Sequence, residues 1–365
     1  MANVTWKVSS GSTGSGELIN GITGLRKWRA ALASMKAGVT SKINLNIIGD
    51  SITEGMGTTD FRTKSYTNLV RIALAAKYGD VGNGLIPSWH PDSNIAGTPW
   101  WTYAGTGWTN ENTFGLTMLC KRSQTSGDTA TISFNGTGIK FLFLRGSACG
   151  TCTIAIDGGA PTSYNFANGT TEYANVTTIS GLTNGAHTAV ITSTVAAGKY
   201  IWLIGAYEIK GTTGVQVNMC GRYGTQTASS YPDQSLQVSI NHFQPKLTLI
   251  ALLSNDFAGS IPVNNYKARL QAIVTRALTT GDVMLMSLGH RNATSTYPQK
   301  DYADMMRTVA DENNIAYLDL FNRWGGGLGA TAGITAKNLG LMDDVHPTDA
   351  GAQDIAAAIL KVIDE

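Results

Sequence analysis

Apolar and polar positions along the chain fall into two textures. Residues 24–37 carry apolar side chains at helical spacing, and a second helix is predicted from Tyr66 to Lys77. Between them, Ile43-Asn44-Leu45-Asn46-Ile47-Ile48 reads as a strand that stops sharply at Gly49-Asp50-Ser51. From about residue 116 to 213 the pattern changes to short alternating or apolar runs, among them Thr131–Phe134, Ile139–Phe143 and Ile154–Ile156. Asp157-Gly158-Gly159 is a turn signal, and Asn184-Gly185 within Leu182–Ile191 predicts a hairpin. Closely spaced strands with turn signals indicate a β-sandwich.

Beyond residue 213 the alternation of strand and helix resumes. Val215–Met219, Leu247–Leu253, Val283–Leu288 and Ala316–Leu320 read as buried strands. Pro262–Thr279, Lys300–Asn313 and Thr348–Ile363 read as helices between and after them. With Ile43–Ile48 this makes five apolar strands, which implies a parallel sheet covered on both faces. The expected organisation is a discontinuous α/β domain of residues 1–115 and 214–365, interrupted by an all-β sandwich at 116–213. Ligands of parallel sheets bind at the carboxyl ends of the strands, so the chemistry is sought there.

Composition narrows the function classes. The chain has 365 residues and a formal net charge of +2, so no strong field favours nucleic acid or an anionic membrane. Only 14% of residues are charged, against about 25% in an average soluble domain. The 42 glycines exceed the usual share of about 7%. This composition is associated with secreted proteins and virion appendages. Met1–Lys7 lacks the basic-then-apolar layout of a signal peptide, and no apolar run approaches the roughly 18 residues of a span. A soluble protein is expected, cytoplasmic or reaching the exterior or a virion by another route.

Four cysteines stand at positions 120, 149, 152 and 220. Cys149-Gly150-Thr151-Cys152 has no second pair at zinc spacing and precedes a strand rather than a helix. Ordinary thiols or a local disulfide are expected, with no metal.

Five histidines are available as bases. His90 and His187 read as loop or turn residues, His242 lies near the end of a helix, and His290 follows a strand. His346 differs, because in Asp343-Asp344-Val345-His346-Pro347 a carboxylate precedes it by three positions and a helix follows at once. A short loop can turn Asp343 onto the imidazole and fix its tautomer. Asp344 and Asp349 read as solvent-facing or capping. Gly49-Asp50-Ser51 alone fits a nucleophile, a phosphate-binding loop or a plain turn. A serine hydroxyl needs a base held against it, and His346 can supply one. Asn255 closes the third strand and Gly224 follows the second, so both fall on the edge that carries Ser51 and His346. The Gly-rich stretch 325–329 lacks the spacing of a dinucleotide fingerprint and reads as a loop.

These blocks resemble those of the SGNH (GDSL-like) hydrolase family. Gly49-Asp50-Ser51-Ile52-Thr53 is similar to its first block and Asp343-x-x-His346-Pro347 to its last. Leu253-Ser254-Asn255-Asp256 is similar to the third with Leu for the leading Gly, and the looser second falls at Arg222–Thr225. The resemblance covers roughly residues 38–60 and 214–365. It implies a flavodoxin-like three-layer α/β/α sandwich, with Ser51 as nucleophile, His346 as general base then acid, and Asp343 as its orienter. It implies an oxyanion hole of the Ser51 and Gly224 N–H groups and the Asn255 side chain, and no cofactor.

Family members act on sugar acetates, lipid esters and thioesters. The sandwich and the aromatic residues Trp89, Trp100, Trp101, Tyr103 and Trp108 favour an acetylated carbohydrate. Other readings are a lipase or thioesterase, a non-catalytic carbohydrate-binding appendage, and a flavodoxin-like phosphate binder that leaves His346 unexplained. Oligomeric state is not legible.

Overall fold

The computed structural model describes residues 18–19, 23–90, 95–112, 119–228, 238–289, 291–326 and 345–364. Along the chain, strand β1 (Leu18–Ile19) precedes the helix Arg26–Lys36 and strand β2 (Lys42–Gly49). The helices Ser51–Glu54 and Tyr66–Tyr78 follow. Nine strands come next: β3 (Ile86–Pro87), β4 (Trp101–Ala104), β5 (Thr109–Glu111), β6 (Cys120–Ser123), β7 (Thr129–Arg145), β8 (Thr151–Ile156), β9 (Thr162–Asn165), β10 (Glu172–Ser193) and β11 (Ile201–Ile209). The chain then returns to β12 (Gly214–Gly221), β13 (Leu247–Ala251), β14 (Asp282–Ser287) and β15 (Ala316–Asp319). The helices Val263–Ala277 and Gln299–Asn313 separate the last three strands, and Asp349–Ile363 ends the fold.

Strands β12, β2, β13, β14 and β15 lie side by side in that order and pair in parallel, with β1 antiparallel on the outer edge of β15. Successive residues of a strand point to opposite faces, and here the two faces bury different partners. Leu247, Leu249, Met284 and Met286 join Trp28, Leu32, Val70, Leu74, Ile355 and Ile359 in one core. Ile250, Val283 and Leu285 join Leu270, Ile273, Tyr302 and Met306 in the other. Burying each such side chain contributes roughly 1.5–3 kcal/mol, so the apolar runs are held in the middle layer.

One face of β2 and β12 departs from this pattern. Asn46, Gln216 and Asn218 are fully or almost fully buried there. Lys42 Nζ donates to Gln216 Oε1 (2.8 Å), Gln216 Nε2 to Asn218 Oδ1 (2.9 Å), and Asn218 Nδ2 to Asn46 Oδ1 (2.9 Å). The Leu85 N–H, on the segment entering β3, also donates to Asn218 Oδ1 at 3.2 Å. Of the alternating asparagines of Ile43–Ile48, Asn46 thus meets Asn218, which takes the Leu85 N–H, whereas Asn44 Nδ2 donates to the Phe243 carbonyl (2.6 Å) in the helical residues 238–243. Polar side chains survive burial here because they are hydrogen-bonded.

The second sheet is antiparallel, in the order β5-β6-β11-β7-β10-β8-β9, with β3 added to β11 and β4 to β7. Its strands run from Ile86 to Ile209, so β3, β4 and β5 precede residue 116. Two expectations are corrected. Thr131–Phe134 and Ile139–Phe143 belong to one continuous strand, β7. Asn184-Gly185 makes no hairpin, because β10 runs through it and only slips register between Ser180 and Gly185. Opposite it, Gly136 pairs with Gly185, and long-range pairing with β7 outweighs the local turn preference. His187 is accordingly a strand residue, opposite Phe134.

Candidate active site

Gly221, Gly49 and Ala251 stand in register at the carboxyl ends of β12, β2 and β13. The residues that follow each strand therefore leave one edge at one level. Because β12 and β13 flank β2 on opposite sides, this edge is also the point where strand order reverses, the usual location of a ligand crevice.

After β2, Asp50 is extended (φ −108°, ψ −154°) and caps the helix Ser51–Glu54 by accepting the Ile52 N–H at 3.0 Å. The turn is tight: a Cβ on Gly49 would lie 1.9 Å from Thr53 Oγ1, and Gly55 ends the helix at φ +103°. The helix has four residues, so first-turn N–H groups, not a long dipole, are what Ser51 has beside it.

Ser51 Oγ and His346 Nε2 are 2.7 Å apart although 295 positions separate them in the chain. Both residues are 8% exposed, so the pair is shielded yet reachable. His346 precedes the helix Asp349–Ile363, whose start is tied to the loop after Ser51: Asp349 accepts the Thr59 N–H (2.8 Å) and hydroxyl (2.6 Å). Asp349 is thus a clamp between the two halves of the pair, and these bonds and Lys64 hold its pKa below the ordinary value despite partial burial. Gly57 lies against His346 and Pro347. Asp343, the expected orienting carboxylate, lies outside the described residues, as do Asp344 and His290.

Asn255 lies in the short helix Ser254–Ala258 after β13. Its Nδ2 donates to the Thr225 carbonyl (3.1 Å) and faces Asp50 Oδ2 at 3.5 Å, while its Oδ1 accepts from Arg291 Nη1 at 2.8 Å. Gln226 Nε2 donates to the Asn255 carbonyl (2.8 Å), and Thr227 donates its N–H (2.9 Å) and hydroxyl (2.5 Å) to Asp256. The loops after β12 and β13 are therefore one hydrogen-bonded body. Gly224, in the β12 loop, is exposed with φ +70° and has open space where a Cβ would sit. Its requirement is conformational rather than steric. Next to it, the Tyr223 N–H donates to buried Glu54 Oε1 at 2.6 Å, joining this loop to the Ser51 helix.

Burial pushes the Asp50 carboxyl up to about 7, against the pull of the Ile52 N–H and the Arg291 charge. Asp256 is likewise raised to about 6 by burial, countered by its bonds from Thr227. His90 is buried in its loop, with Nε2 donating to the Glu54 carbonyl at 3.2 Å. His242 lies in the helical residues 238–243, and His187 Nδ1 pairs with Asp157 Oδ2 at 2.7 Å, remote in the second sheet.

The four cysteines are free and buried, and burial raises Cys149 to about 11 and Cys152 to about 12, so neither is a ready thiolate. Among the described residues no group of His, Cys, Asp and Glu could hold a metal ion. None of the helices among those residues is long and apolar enough to cross a membrane. Of the aromatic residues singled out in the sequence, Trp89 and Trp101 are buried, and Trp100 lies under the Arg62 guanidinium at 3.7 Å. Sequence reasoning missed Gly57, Arg291 and Glu54. Each acts through a partner distant in the chain, and only the positions of Gly57 and Glu54 just after the Ser51 block were a signal.

Residues 201–353 match the model of the GDSL-like Lipase/Acylhydrolase family. A comparison with curated proteins finds no match. Among solved structures, a peptidoglycan O-acetylesterase is 16% identical with a TM-score of 0.72, over 95% of this chain and 99% of that one. A family two carbohydrate esterase from Clostridium thermocellum, in complex with cellohexaose, is 14% identical over 72% of this chain and 98% of that one, with a TM-score of 0.33. A two-domain esterase active on acetylated mannans is 11% identical over 95% and 56%, at 0.45. The last two scores carry no argument; the first shows a shared fold. With its antiparallel sheet set between two strands of an α/β domain, the chain is thus similar to the GDSL-like Lipase/Acylhydrolase family over residues 201–353 and shares its fold with the peptidoglycan O-acetylesterase.

Proposed function

We propose that the chain is a serine esterase that removes acetyl groups from a glycan. The observation that carries this reading is the 2.7 Å contact between Ser51 Oγ and His346 Nε2 at the carboxyl edge of the parallel sheet. As Oγ attacks the ester carbonyl carbon, His346 Nε2 takes its proton, and Asp343 orients the resulting imidazolium. The carbonyl oxygen becomes an oxyanion that accepts from the Ser51 and Gly224 N–H groups and from Asn255 Nδ2. The long 3.5 Å contact of Nδ2 with Asp50 is the one the oxyanion takes over. Collapse breaks the bond to the sugar oxygen, which leaves with the proton from His346. Water, deprotonated by the same imidazole, then attacks the acyl-serine and frees acetate.

The acetylated-glycan substrate draws its support from the solved peptidoglycan O-acetylesterase of the same fold. The division into an α/β domain and an inserted β-domain, the latter presenting substrate, belongs to this same proposal, with the β-domain beginning near Ile86 rather than at 116 because β3, β4 and β5 pair within its sheet. The test is acetate release from O-acetylated peptidoglycan and other acetylated glycans, with an acyl-length series of aryl esters beside it. Acetyl preference and acetate release are expected; a preference for long acyl chains overturns the substrate assignment.

A further inference from the structure

Asn255 can serve an oxyanion only if its nitrogen, rather than its oxygen, faces the reaction. The two ends of a primary amide are almost equal in shape, so something must choose between them. Here the choice falls to Arg291, on the loop after β14. A guanidinium donates and never accepts, so Arg291 Nη1 at 2.8 Å from Asn255 Oδ1 admits one orientation only. The opposite flip would set N–H against N–H.

Arg291 is itself held at both ends. Its backbone N–H donates to the side-chain oxygen of Gln299 (2.9 Å), and Gln299 Nε2 donates to the Gly289 carbonyl (2.8 Å). Gln299 is buried at the start of its helix, which fixes this loop on the scaffold. The same Nη1 also approaches the Ser254 carbonyl (3.3 Å) and hydroxyl (3.4 Å). A relay therefore runs from the helix Gln299–Asn313 through Arg291 to Asn255 and on to Asp50 and the Thr225 carbonyl.

We infer that Arg291 is a positioning residue for the proposed esterase, fixing the Asn255 amide so that Nδ2 is presented to the developing oxyanion. The inference rests on the reading of Ser51 and Asn255 given above. Removing an oxyanion donor typically lowers kcat by about 10²- to 10³-fold, and misorienting one gives a large part of that.

The test is a double-mutant cycle on aryl acetate hydrolysis. Arg291→Met is expected to lower kcat by about 10- to 100-fold with KM nearly unchanged, and Arg291→Lys, which still donates, to recover part of the loss. In an Asn255→Ala background the same replacement should cost less than about 3-fold, because the amide it orients is gone. An equal loss in both backgrounds, or an Asn255→Ala enzyme as fast as wild type, overturns the inference. Should Arg291→Met fail to fold, the cycle with Arg291→Lys carries the same two outcomes. Failure of the serine reading registers separately, as hydrolysis that survives Ser51→Ala.

Discussion

Gly57 and His346 touch at a point where no side chain fits. With φ at +94°, Gly57 would place a Cβ 2.8 Å from His346 Cβ and 2.4 Å from the Pro347 carbonyl oxygen. The loop after Ser51 can approach the histidine loop only because that hydrogen is not a methyl group. Gly57→Ala should therefore push His346 away from Ser51. Strain at such a φ costs about 1–3 kcal/mol, visible as a lower Tm, and a displacement near 1 Å lowers kcat by about 100-fold. Aryl acetate kinetics with thermal unfolding checks both. A Gly57→Ala enzyme with unchanged kcat would mean that the approach of these loops does not govern the pair.

The polar ladder on β2 and β12 predicts a different failure. Asn218 accepts from Gln216 and Leu85 and donates to Asn46, all without access to water. Asn218→Ala strands several groups at once, so unfolding stability should fall by about 3 kcal/mol or more. Urea unfolding measures it. A change within about 0.5 kcal/mol would show that the ladder contributes little to docking the two sheets.

Burial lowers the His90 pKa from 6.5 to about 4, with the Glu54 carbonyl opposing the shift. Above pH 6.5 the ring is neutral folded and unfolded, and its contribution is complete. As pH falls from 6.5 through about 4, the unfolded chain binds a proton that the folded chain refuses, and stability drops by up to about 3 kcal/mol. Asp50, raised to about 7, acts in the opposite sense between its unfolded value of 3.8 and 7. His242, lowered to about 4, adds to the His90 effect. The His90 share is isolated by comparison with His90→Gln, which keeps a donor for Glu54. The stability advantage of wild type should be constant above pH 6.5 and shrink towards pH 4; a constant difference throughout would contradict the burial.

Much of this architecture is legible in the chain because the parallel strands are buried on both faces and so read as apolar runs bounded by helices. Ser51 and His346 are legible for a related reason, since each sits beside an element end that a short motif announces. Asn184-Gly185 misleads because a dipeptide reports local preference, whereas β10 owes its course to pairing with β7 across many residues. Arg291 leaves no trace of its own, and Gly57 leaves only its place just after the Ser51 block. What defines them is the atom opposite, Asn255 Oδ1 in one case and the Pro347 carbonyl in the other, and those neighbours are set by the fold.

Covalent labelling tests the central claim most directly. A fluorophosphonate reacts with a serine oxygen only when a neighbouring base activates it, and intact mass with peptide mapping locates the adduct. Wild type should take up one equivalent, on Ser51, with labelling lost in Ser51→Ala and strongly slowed in His346→Ala. An enzyme that hydrolyses aryl acetate yet labels elsewhere, or labels equally well without His346, would contradict the account.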